Sequence, residues 1–196
     1  MKYATLDVAH PVWDRFFQVA PLVVIGTVEP DGSPDLAPKH MAMPLGWLNW
    51  FGFVCTPRHA TYRNTLRERA FTVSHPRPEQ LVHASLAAEP RCDDGQKTSL
   101  AALEVEPGRV VNGPLLRGAS VHIECELDRV VEGFAENALV IGRIVAARVA
   151  EDALRSLDRD DATLIAESPL LAYLAPGRFA RIDRGHAFPF PAGFSR

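Results

Sequence analysis

The chain has 196 residues, 47% of them hydrophobic, which suffices to bury a substantial core within one domain. Lys and Arg number 21 against 24 Asp and Glu, and the net charge of -3 excludes the broad basic surface that duplex nucleic acid requires. The three cysteines, Cys55, Cys92 and Cys125, are far apart and free of Cys-x-x-Cys spacing, against a disulfide framework and against a structural zinc site. No stretch approaches the ~20 uninterrupted apolar residues of a membrane helix, and residues 1–10 lack the pattern of a secretion signal. The expectation is a cytoplasmic protein without metal, membrane or nucleic-acid partner.

In chain order, Pro11, Val12, Phe16 and Val19 predict a short amphipathic helix with proline at its first position. Leu22 to Val28 is apolar and β-branched, Glu29 to Pro34 is dense turn chemistry, and Asp35 opens a second extended segment, together a hairpin. Trp47 to Cys55 predicts a strand, Ala60 to Arg69 a helix with Thr61 as N-cap, Phe71 to Val73 a strand, and Pro78 to Ala88 a further helix. Between Glu89 and Gly118 the breakers Pro90, Asp93-Asp94-Gly95, Pro107-Gly108 and Asn112-Gly113-Pro114 predict an irregular surface excursion.

From Val121 to Val131, Val121, Ile123, Cys125 and Leu127 alternate with His122, Glu124, Glu126 and Asp128, which predicts a half-buried strand with His122 facing outward. Leu139 to Val149 is a second long strand, Glu151 to Asp160 a polar helix, and Pro169 to Leu174 and Arg178 to Ile182 are short strands before a Pro- and Phe-rich tail over Phe188 to Phe194. Strands outnumber helices and follow one another in hairpin order. The fold class is therefore mostly β, an antiparallel barrel with peripheral helices.

Common catalytic signatures are missing: no Gly-x-Gly-x-x-Gly, Walker loop, His-Glu-x-x-His or Gly-x-Ser-x-Gly occurs. His122-x-Glu124 matches half of the nucleobase deaminase signature, without the Pro-Cys-x-x-Cys that completes its zinc shell.

The chemistry concentrates between Leu36 and Pro76. Arg58 and His59 stand just before a helix start, with Thr61 and Asn64 in its first turns. A fixed cation, imidazole and hydroxyl donors and unpaired helix amides suit a phosphate monoester; capping by Thr61 with solvated Arg58 and His59 is the other reading of the same residues. Lys39-His40-Met41-Ala42-Met43 offers charge and polarizable walls suited to a flavin ring, although methionines are equally ordinary core filler.

Pro21 to Thr27, Asp31-Gly32, Leu36-Ala37-Pro38, Thr61-x-x-Asn64 and Phe71-Thr72-Val73 resemble the opening half of the flavin reductase-like family. Lys97, Pro114-Leu115-Leu116-x-Gly118-Ala119, Ile123 to Leu127 and Ile141-Gly142-Arg143-Ile144-Val145 resemble its second half. The similarity spans about residues 20–183, leaving 184–196 as a tail, and implies one FMN-binding split β-barrel domain, six-stranded and antiparallel in Greek-key order. It further implies a homodimer with FMN at the subunit interface, FAD being left open, and hydride transfer from NADH or NADPH to flavin, with a monooxygenase as a potential partner.

Carried over by position, Arg58, His59, Thr61 and Asn64 fall on the phosphate and ribityl side, and Lys39, His40, Met41 and Ala42 along the isoalloxazine edge. Lys97 matches a family lysine close to the flavin, and Tyr173 lies in an aromatic segment that can approach the ring. One departure bears on activity: many family reductases place Gly-Asp-His before the Ile-Gly strand, whereas this chain has Glu136-Asn137. Flavin binding is untouched by that change, and the alternative to a reductase is an electron-relay or flavin-binding protein without its own NAD(P)H site.

Overall fold

The computed structural model describes residues 1–90 and 97–193, so Cys92 and the expected turn at Asp93-Asp94-Gly95 lie outside the described residues, as does Phe194 at the end of the tail. Among the described residues there are fifteen regular strands and α-helices. They are β1 (Gln18–Pro21), β2 (Val23–Val28), β3 (Pro34–Lys39), β4 (Ala42–Pro44), β5 (Trp50–Cys55), α1 (Ala60–Glu68), β6 (Ala70–His75) and α2 (Leu81–Leu86), followed by β7 (Val105–Pro107), β8 (Pro114–Leu116), β9 (Val121–Phe134), β10 (Asn137–Val149), α3 (Asp161–Glu167), β11 (Leu170–Ala175) and β12 (Arg178–Ile182).

The main sheet is a curled antiparallel half-barrel in the order β3-β2-β6-β9-β10-β5-β4, seven strands where six were expected. A three-stranded sheet, β1-β11-β12, and the β7-β8 pair complete the strands. The hairpin between β2 and β3 sets the register Thr27↔Asp35 and Val23↔Lys39, its turn depending on Gly32 at φ +85.

Two apolar layers explain the sequence pattern. Val23 and Ile25 enter the barrel core with Phe53, Phe71, Val73, Cys125 and Val140. Val24, on the opposite face of β2, packs with Leu36, Ala84, Leu103 and Leu116 beneath α2 and the chain around residue 100. A strand covered on both sides reads as a continuous apolar run rather than an alternation, which is what Leu22 to Val28 shows. Within the barrel, Phe53 and Phe71 meet edge to face, centroids 5.1 Å apart.

Four expectations are corrected. The helix at Pro11 to Val19 is absent; Arg15 N donates to Val12 O in an isolated turn, and Trp13 and Phe17 are exposed. A short amphipathic helix needs a surface to bury its face on, and among the described residues the side chains of Phe16 and Val19 stay exposed. The second helix is shorter than expected, a 3-10 turn at Pro78–Gln80 followed by α2.

Glu151 to Asp160 contains only a 3-10 turn at Glu151–Ala153, and the α-helix begins after Asp160, whose carboxylate accepts from Thr163 N at 2.9 Å. Asp160 is a strong N-cap, so it starts α3 rather than ending the preceding segment. Finally, His122 is buried, because the β7–β8 segment covers that face of β9. His122 Nε2 lies 2.8 Å from Leu116 O, and Glu124 accepts from the amides of Arg109, Val110 and Val111.

Candidate functional site

The hairpin β2–β3, the start of α1 and the chain on either side of residues 91–96 enclose a cavity of about 460 Å³. That volume lies within the roughly 300–1,000 Å³ of small-molecule sites. Lys39, Arg58, His59, Thr61 and Lys97, five of the residues singled out in the sequence, line it together. Arg63, Asp35 and Glu89 line it as well and were missed. An acid inside an otherwise apolar hairpin strand was the available signal for Asp35.

Asp35 organises the floor. Its carboxylate accepts from the hydroxyls of Thr27 and Thr61, each at 3.3 Å, and stands 3.3 Å from Lys97 Nζ. Lys97 also donates to the carbonyls of Leu36 (2.9 Å) and Ala87 (3.1 Å), so its ammonium is held at the cavity wall by three oxygen partners. The Lys97 and Asp35 side chains are 11% and 1% exposed, a buried pair.

Helix α1 starts at Ala60 as expected, but with His59 rather than Thr61 at its N-cap and no side-chain cap bond. Asp35 claims the Thr61 hydroxyl, which is why Thr61 does not cap. The first-turn amides of α1 therefore have no capping side chain, and Ala60 and Thr61 of that turn line the cavity. His59 lies among the cations: burial first, then Lys39, Lys97, Arg58 and Arg63, hold its imidazole below the usual range. A neutral ring offers one donor and one acceptor, and its Nδ1 lies 3.9 Å from Cys55 Sγ. Arg58 is exposed and pairs with Glu136 from the β9–β10 turn.

The remaining predicted residues lie elsewhere. Asn64 is buried behind the cavity, its amide donating to Thr27 Oγ1 at 3.3 Å and its oxygen accepting from Arg67 at 2.9 Å. Ala42 belongs to the barrel core, while Met41 and Met43 are 49% and 51% exposed and so are not core filler. His40 stacks on Tyr173, centroids 4.6 Å apart, and the Tyr173 hydroxyl accepts from Gly177 N at 2.8 Å. Tyr173 lines an adjoining groove that shares Pro38 and Ala88 with the cavity. Burial, followed by Lys39, keeps His40 below its usual pKa. Among the described residues no cluster of His, Cys, Asp and Glu is arranged to hold a metal, and no helix is long and apolar enough to cross a membrane.

The arrangement concentrates cations and free helix amides at one end of a cleft and apolar and aromatic groups at the other. The flavin reductase like domain model matches residues 18–180. The chain belongs to the flavin reductase-like family. Membership gives it the split-barrel fold and a flavin-related activity.

Solved structures share this fold over nearly the whole chain. Flavoredoxin of Desulfovibrio vulgaris (Miyazaki F) is 22% identical, with 97% of this chain and 100% of that chain covered and a TM-score of 0.77. An FMN-binding protein from Thermus thermophilus, solved with bound 1-cyclohex-2-enone, is 21% identical over 95% and 99% of the two chains, TM-score 0.77. Nitrilotriacetate monooxygenase component B from Mycobacterium thermoresistibile is 15% identical over 91% and 89%, TM-score 0.71.

Proposed function

We propose that this family member binds FMN in the cationic cavity and works as an FMN-dependent oxidoreductase, in the cytoplasm and as a homodimer. The observation that carries the reading is the convergence of Lys39, Arg58, His59 and Lys97 on the uncapped start of α1. A phosphate monoester is a dianion, and this end of the cleft supplies fixed cations and oriented amides where it would sit. The donor set thus fits the group, and a split-barrel relative is an FMN-binding protein.

In this reading Arg58, Arg63 and the α1 amides hold the phosphate, and Thr61 is fixed by Asp35 beside them. Lys97, locked by its carbonyl partners, and Lys39 place positive charge along the cleft. Preorganised charge of this kind stabilises negative charge that develops during reduction without reorganising at that moment. The chemistry FMN supplies when bound is acceptance of hydride from NADH or NADPH and delivery of electrons to an acceptor. Met41, His40 and Tyr173 border the ring end, where they shield it from water.

Mixing FMN-loaded protein with NADH and with NADPH in a stopped-flow instrument tests the reductase activity: loss of the oxidised flavin band with either supports it, and no loss with both removes it. The Glu136-Asn137 turn favours a second reading, an electron-relay module with no nicotinamide site. Under it the band survives both nicotinamides and disappears with dithionite. The likeness to a monooxygenase component B supports a partner monooxygenase as one acceptor.

A further inference from the structure

A separate cleft of about 340 Å³ lies between the β1-β11-β12 sheet and the adjoining ends of β6 and β9. Strand pairing fixes which side chains form its sheet wall. Pro21 is paired with Ala172 and Leu170 with Ile182, and residues two apart share a face, so Val19, Pro21, Leu170, Ala172 and Ile182 all stand on one side of this sheet. Tyr173 and Phe179 stand on the other side, toward the groove beside α2. The cleft shares no lining residue with the cationic cavity.

His75 and Val121 form the opposite wall; they are directly paired at the ends of β6 and β9 and so lie side by side on one face of the main sheet. The His75 carbonyl is taken by Ser120, whose amide donates to it at 2.9 Å and whose hydroxyl donates at 3.1 Å. The His75 imidazole itself has no hydrogen-bond or ion-pair partner among the described residues. Burial, with no charged neighbour contributing, holds the ring below the usual histidine range. A neutral imidazole offers one donor and one acceptor.

The lining sets the chemistry of a ligand. Among the described residues no Lys, Arg, Asp or Glu lines the cleft, so an ionised ligand would find nothing to balance its charge. The side chains around His75 are aliphatic, suited to a saturated body, and the volume lies at the lower end of small-molecule sites. A hydroxyl both donates and accepts, so it answers either ring nitrogen whichever tautomer is present.

We propose that this cleft is a binding site for a small neutral aliphatic alcohol, its chain against Val19, Leu170 and Ile182 and its hydroxyl on the His75 imidazole. The site is independent of the flavin reading.

Titration of the full chain with hexanol, chlorohexane and hexanoate, followed by calorimetry and by the His75 ring signals in nitrogen-edited NMR spectra, tests the assignment. Hexanol is expected to bind about fivefold more tightly than chlorohexane, the scale of one neutral hydrogen bond, and to move the His75 signals, whereas hexanoate should not bind. His75→Phe keeps a ring and removes both nitrogens, and should bring hexanol down to the level of chlorohexane. Leu170→Trp, at an exposed position of the rim, should abolish binding of both.

Equal binding of hexanol and chlorohexane, a preference that survives His75→Phe, hexanoate binding as tight as that of hexanol, or binding that survives Leu170→Trp would each overturn the assignment. A change of oligomeric state on sedimentation of Leu170→Trp would overturn it too, by making this face a contact between copies. Comparing the three compounds on the wild-type chain needs neither FMN nor a folded variant, so failure of this site and failure of the cofactor reading give different results.

Discussion

Lys97 Nζ lies 3.3 Å from Asp35 Oδ1, joining the chain after residue 96 to the centre of the β2–β3 hairpin and closing one wall of the cationic cavity. Asp35 also receives the hydroxyls of Thr27 and Thr61, so one buried carboxylate fixes a strand, a helix and a loop relative to one another. Removing one partner of a buried pair leaves an uncompensated charge, a cost of about 3 to 5 kcal/mol. Lys97→Met is expected to lose about that much stability in urea unfolding. Asp35→Asn added to it should restore much of the loss, whereas equal instability of single and double variants would contradict the pairing.

Arg58 answers a different question because its ion pair with Glu136 is exposed. Exposed pairs contribute roughly 0 to 1 kcal/mol to stability. Arg58→Ala should therefore unfold like the wild type yet bind FMN more weakly by roughly 1.5 to 3 kcal/mol, the scale of a hydrogen bond to a charged group. Glu136→Gln frees the guanidinium and should tighten FMN modestly. Unchanged FMN affinity in Arg58→Ala would displace the phosphate from this end of the cleft.

The pH dependence of stability has a definite sign. Burial holds His75 below the histidine value of 6.5, and burial followed by neighbouring cations does the same for His40 and His59. Each ring binds fewer protons folded than unfolded, so stability is full above 6.5 and is lost as pH falls below that value through the lowered pKa. Urea midpoints measured from pH 8 to pH 5 should fall on the acid side. His75→Gln should flatten part of that slope, and a slope unaffected by the substitution would contradict the assignment to His75.

Gly26 permits the close approach of β2 and the β8 segment. A Cβ there would lie 2.0 Å from Pro114 O and 2.3 Å from Thr72 Oγ1. Neither backbone oxygen nor buried threonine can yield easily, so Gly26→Ala is expected to cost about 3 kcal/mol, the upper range for an overpacked core. A thermal midpoint equal to that of the wild type would show that β8 can shift freely.

The strands were legible where burial imposes a pattern. Val23 to Val28 is apolar because both its faces are covered, and the Gly32 turn fixes the hairpin beside it. The cationic cluster was legible too, because Arg58 and His59 are adjacent in sequence to a helix start. Asp35 was not: its meaning comes from Lys97, 62 residues further on, and from Thr61, contacts that only the folded hairpin creates. His122 was misread for a related reason, since alternation along a strand reports the face nearest the core and is silent about a distant segment, here β7–β8, that covers the other face. The N-terminal helix failed because periodicity whose apolar side chains stay exposed, as Phe16 and Val19 do, does not stabilise so short a segment.

The most direct test of the account is a titration of the purified chain with FMN, followed by quenching of flavin fluorescence and repeated with Arg58→Ala. The account predicts saturable binding of one FMN per chain at micromolar concentration, with the variant weakened by roughly 10- to 100-fold. A colourless protein whose addition leaves micromolar FMN fluorescence unquenched would contradict it.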